Sequence, residues 1–333
     1  MKRLLVCGLV LATGCSDALE QDTTAGQVVA VVSALDRTIS LVSVSDLTVR
    51  SLDLSAIPGY ATSIAARGST LIVPFANGSN SSIAVFDLAQ AGGASPFVIP
   101  VPTAQPMAVA IENDSIAWVP ASGSGLVARV NYRTGTVTSV TAGTQGSAVA
   151  VARGKVFVAS PDDSIRVIDP ASVKVVDSLG LAGRNPTWIT VGGDSLLYIS
   201  DVDPLGGTDG SISIVDPVTD REVVLIRGLG FMNGTSVYHP SGRLLVAALG
   251  NGILEINTLT RSLVRGPGQG IRPPGSFIGG LALDARGRVY AIDWTDCRGP
   301  GVVHVLAPPP GYEEQGTAAV GACPRGSALA TMF

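Results

Sequence analysis

Several carboxylates fall where short loops should be: Asp162-Asp163, the stretch holding Asp201, Asp203 and Asp209, and Asp293 with Asp296 on either side of Trp294-Thr295. Asn233 stands in an Asn-Gly pair between two apolar runs. Oxygen donors brought together from such loops could ligate a hard cation such as calcium. The same residue types cap turns, because a short Asp or Asn side chain bonds backbone amides a few residues on. The stretch from Asp201 to Asp209 lacks the full spacing of a known calcium loop, so two readings stand. One is a ligand-binding loop face made of Asp201, Asp203, Asn233, Asp293 and Asp296 with no cofactor. The other places a divalent cation among Asp201, Asp203, Asp209 and Asn233.

Acid–base and nucleophilic chemistry has fewer carriers. The chain has only two histidines: His239 precedes Pro240 in a turn, and His304 sits mid-strand in His304-Val305-Leu306. Neither adjoins a Gly-x-Ser-x-Gly elbow, so no catalytic residue is assigned. Trp118, Trp188 and Trp294 fall on or beside strands, where core packing is the expected role. Of the four cysteines, Cys7, Cys15, Cys297 and Cys323, none forms a Cys-x-x-Cys pair.

The elements that must hold these residues repeat. Apolar triplets centre on Ile64, Val109, Val149, Ile189, Val237, Leu281 and Leu329, at spacings of 45, 40, 40, 48, 44 and 48 residues. Each of the first six is followed by a second apolar strand, such as Val156-Phe157-Val158 or Leu244-Leu245-Val246. A third strand then ends on Asp, as in Ile83 to Asp87, Ile165 to Asp169 and Ile212 to Asp216. A looser fourth strand closes each unit, as in Val137 to Val140. Four antiparallel strands at a period of 40 to 50 residues predict an all-β, seven-bladed propeller. Val28 to Val32 is a second strand lacking a first, and Ser327 to Thr331 is a first strand lacking a second. The C-terminal strand is therefore expected to complete the N-terminal blade, which also removes two open sheet edges. In that scheme the loop holding Cys297 and the connection holding Cys323 share a face with the loops of Asp162, Asp201, Asn233 and Asp293. A Cys297–Cys323 disulfide follows, worth about 3 kcal/mol if loop-closure entropy governs it.

Leu196 to Ser200 followed by Ile212 to Thr219 resembles the YVTN-type repeats of bacterial surface and periplasmic propellers. The resemblance covers blades two to seven and implies a fold more than an activity. Asn233-Gly234 with His239 to Leu244, and Gly280 to Gly287, is similar to segments of the gluconolactonase and senescence-marker family, in which an Asn helps hold a metal for lactone hydrolysis. The expected Asp before the last of those strands is replaced here by Gly279 or Gly280, and no Glu opens a first strand near the N-terminus. At the start of the chain Met1-Lys2-Arg3 and the apolar run Leu4 to Ala12 read as an export signal, far short of the roughly 20 residues that span a bilayer. Leu11 to Cys15 resembles the lipobox of bacterial lipoproteins. That implies acylation at Cys15, a signal over 1–14, a tether over 15–27 and a propeller over 28–333. Ser16 after the Cys implies the outer membrane of a Gram-negative cell.

Composition limits the partners. The 333 residues include 40 Gly and 21 Pro with only 14% charged side chains, which disfavours long amphipathic helices. Lys and Arg total 22 against 26 acidic residues; without Lys2 and Arg3 this becomes 20 against 26, or −6. No basic cluster offers the aligned cations that nucleic acid requires. The sequence thus predicts a monomeric, membrane-tethered binding or scaffolding module for an envelope protein, peptide or glycan, more a binder than an enzyme. The alternative is a metal-dependent lactonase or esterase.

Overall fold

A computed structural model describes residues 24, 26–90, 95–143, 145–202, 210–231, 234–274 and 276–332. They form seven antiparallel sheets arranged as blades in a ring, with no α-helix among the described residues. The export signal, Cys15, Asp203, Asp209 and Asn233 lie outside the described residues.

Blade 4 shows the common pattern: Ala148–Ala152, Lys155–Ser160, Ser164–Asp169 and Lys174–Gly180 pair in sequence order from the channel outward. The inner strands contact one another around the ring, from Ala65–Arg67 through each successive blade to Pro324–Thr331 and back. Seven apolar clusters fill the seven spaces between blades, and each draws residues from two neighbours. A second strand is therefore covered on both faces and reads as a continuous apolar run, as in buried Leu197–Asp201 and Val289–Asp293. The fourth strand has solvent on its outer edge and faces; Lys174–Gly180 is mostly exposed.

The recurring Asp or Asn at the end of the third strand has a local cause. Asp169 accepts the backbone amides of Ala171 and Ser172, at 3.2 and 3.1 Å, and the N–H of Val173 bonds the Asp169 carbonyl. Asn131, Asp216 and Asn257 cap the equivalent turns in blades 3, 5 and 6. Each Asx turn reverses the chain from third to fourth strand without using a ladder bond.

Closure follows the sequence expectation. Blade 1 is ordered Pro324–Thr331, Gln27–Ser33, Thr38–Ser43, Val49–Asp53, with Val29 opposite Leu329 and Val31 opposite Ser327. Gly26 at φ +71° lets its carbonyl receive the Met332 amide at 2.6 Å; a Cβ there would collide with that Met332 oxygen. The Cys297–Cys323 disulfide is formed and spans 26 residues. It ties the loop between Val289–Asp293 and Pro300–Leu306 to the segment entering the closing strand.

Candidate functional site

Every inner strand begins at the face that carries the second-to-third-strand loops, so the first residues of all seven strands surround the mouth of the central channel. They line a cavity of 260 Å³ there. Blade 2 contributes Thr62, Ser63 and Ile64, blade 3 Met107, blade 4 Ser147, blade 5 Thr187 and Trp188, and blade 6 Gly234 and Thr235. Blade 7 adds Gly279 with Trp294 from its second strand's end, and the closing strand adds Arg325, Gly326 and Ser327.

Three of the six hydroxyls in this wall stitch neighbouring blades, and those of Thr62 and Thr187 bond within their own. Ser147 Oγ donates to the Pro186 carbonyl at 2.6 Å, and Ser327 Oγ to that of Leu281 at 3.1 Å. Thr235 Oγ1 accepts the Leu281 amide at 3.0 Å. Trp188 Nε1 reaches the Ser236 carbonyl at 3.3 Å, beside the Thr190 hydroxyl at 2.8 Å from the same oxygen. Trp294 differs: its indole lies flat on Gly279, where a Cβ would overlap the ring, and its buried Nε1 has no partner. The Arg325 guanidinium sits over that ring, 5.8 Å from its centroid, a cation–π geometry. Met107 leaves 41% of its surface open at the rim.

The structure separates the loop carboxylates expected to share one site. Asp201 is 1% exposed and turned into blade 5, where Oδ2 accepts the hydroxyls of Ser213 and Ser211 at 2.7 and 3.1 Å, while Oδ1 has no partner. Burial pushes its carboxyl up to about 7, against the pull of those hydroxyl bonds. Asp293 is also buried; its Oδ1 accepts the amides of Phe277 and Thr295, joining two loops of blade 7. Asp296 is exposed and caps Arg298. Asp162 pairs with Arg166, and Asp163 accepts the Asn185 amide. None of these lines the mouth. Among the described residues no group of three or more His, Cys, Asp and Glu side chains is placed to hold a metal ion. Gly279, which stands near the place of a metal-binding Asp in the lactonase-like pattern, instead makes room for Trp294.

The remaining aromatics and histidines divide by role. Trp118 is fully buried and donates to Glu112 at 2.7 Å, as core packing predicts. Trp188 and Trp294, expected in the core, face the mouth instead, because the strand ends that carry them open onto the channel. His239 ends an inner strand at the opposite face. Its Nδ1 accepts the Ser241 amide at 3.1 Å, so Nε2–H donates to the Gly287 carbonyl of blade 7 at 3.1 Å. Burial holds its basicity below the ordinary imidazole value. His304 is not isolated mid-strand: Nδ1 lies 2.8 Å from Glu314 and Nε2 3.7 Å from Asp293. Sequence reading missed Met107 and Arg325; their signal was positional, since both stand just before or at the start of a first strand in the seven-fold register.

A second, shallower cavity of 680 Å³ lies outside the channel along blade 2, between Pro58, the loop from Asn77 to Ser82 and the outer strand at Val98 to Pro102.

No protein-family model and no curated protein matches this chain. Among solved structures it is similar to the hydrazine synthase of Kuenenia stuttgartiensis, at 17% identity and a TM-score of 0.65. The match covers 82% of this chain and 90% of that one. At this identity the likeness speaks for the propeller fold alone.

Proposed function

We propose that this propeller is a binding module whose ligand enters the channel mouth. The observation that carries the reading is a concave site reached by all seven blades, with Trp188, Trp294 and Met107 turned toward it and most wall hydroxyls already bonded. Apolar and aromatic walls with a few convergent polar groups are the usual form of a ligand site. A volume of 260 Å³ suits one small molecule, one sugar unit or one side chain of a larger glycan or peptide. The address belongs to the same proposal: Cys15 carries the lipid, the tether leads to the ring, and the outer membrane of a Gram-negative cell holds it.

Met107→Trp narrows the mouth without touching the core, and Val98→Trp does the same for the outer cavity. Ligand-detected magnetic resonance with a library of sugars, amino acids and short envelope glycans is expected to yield binders that Met107→Trp removes and Val98→Trp leaves. Binders with the reverse sensitivity would place function on blade 2 and overturn the reading. The address is checked separately, by labelled palmitate, which Cys15→Ser must exclude.

A further inference from the structure

We infer that the channel mouth takes a small ring bearing a carboxylate, with the acid on the Arg325 guanidinium and the ring against the Trp188 indole. This rests on the mouth being the binding site and names the ligand class. Among the described residues Arg325 is the only charged one lining the cavity, in a chain whose net charge is −4. It is exposed and lies over the face of Trp294, and no carboxylate among the described residues pairs with it. The more enclosed cations are neutralised within the fold, Arg288 on Asp284, Arg243 and Arg265 on Glu255, and Lys155 on Asp220, whereas Arg325 faces the cavity. The Arg325 fork, with the indole beneath it, offers parallel N–H donors in the geometry that matches a carboxylate.

The rest of the wall narrows the choice. Ser147 and Ser327 donate their hydroxyls to neighbouring blades and Thr62 and Thr187 to their own, so a neutral polyol would find few free partners. A cation would meet Arg325 with no carboxylate among the described lining residues to offset it. What the described wall still offers a ligand is one anion-binding fork and the Trp188 indole, and the cavity has room for a single ring. A sugar acid at the end of a glycan and a free aromatic acid both present that combination.

Calorimetry with the full-length protein distinguishes them, using glucuronate against glucose and benzoate against benzamide, with tryptophan emission as a second readout. At least one acid is expected to bind about thirtyfold more tightly than its neutral counterpart, the range of a charge-assisted bond. Arg325→Gln should abolish that preference and Arg325→Lys should restore part of it, with melting temperatures unchanged because the side chain is exposed. Selection of glucuronate identifies a uronate, and selection of benzoate an aromatic acid. Acid and neutral forms binding equally, but losing affinity in Met107→Trp, would overturn the carboxylate and keep the mouth. Acid binding that survives Arg325→Gln, or no binding of either acid, also overturns the inference. Acid binding that survives Met107→Trp would overturn the mouth itself.

Discussion

Two buried titratable groups pull stability in opposite directions. Asp201 has its folded pKa raised from 3.8 to about 7, so its contribution is complete below pH 4 and is lost as pH rises through 7. His239 has a lowered folded pKa, so its contribution is complete above 6.5 and is lost as pH falls through the lower folded value. Thermal melting of Asp201→Asn should therefore lose the decline between about pH 4 and 7 that this carboxyl gives the parent. A parent curve of the same slope in both proteins would refute the assignment. His239→Gln should flatten the acid side below pH 6.5 at some cost at neutral pH, because the bond to Gly287 weakens. Neither residue was legible as such in the sequence. Asp201 looked like a loop ligand because its strand ends there, and only the packing of blade 5 against Gly183 shows it enclosed.

Strands set which parts of this molecule a reader of the sequence could see. Second strands, covered on both sides, had to be continuous apolar runs, and the Asx turns after third strands left Asp or Asn at a fixed place; both gave the repeat. Inner strands were harder. Blade 2 splits its inner strand into Tyr60–Ala61 and Ala65–Arg67, and blade 3 reduces it to Ala110–Ile111, so the triplets at Ile64 and Val109 mark positions beside the strands. The mouth was hidden for a related reason: its residues are single positions in seven distant segments, meaningful only once the ring is formed. Gly279 tests that geometry. Gly279→Ala should displace the Trp294 indole, shift tryptophan emission to longer wavelength and cost on the order of 2 kcal/mol, as overpacking does. An unchanged spectrum would show that the ring does not lie on Gly279.

At the scale of the whole ring, stability depends on closure by a strand from the far end of the chain. Cys297→Ser with Cys323→Ser should lower the unfolding free energy by about 3 kcal/mol, read as a shift in the urea midpoint at unchanged slope. The staple also has a place in binding, since Cys323 stands two residues before Arg325 and Cys297 three after Trp294. The two side chains that face each other at the mouth are thus held on the two segments it joins. The closing strand has one more consequence, for the order of events during synthesis. Blades 2 to 7 can be finished as they emerge, but the first strands made, Gln27–Ser33 and its partners, must wait for Pro324–Thr331. Throughout that wait a row of Val side chains and unpaired amides stands open at the start of the chain. A nascent chain halted before Pro324 would carry an adhesive edge and a ligand site lacking Arg325, so birth and quality control meet in the same closing strand.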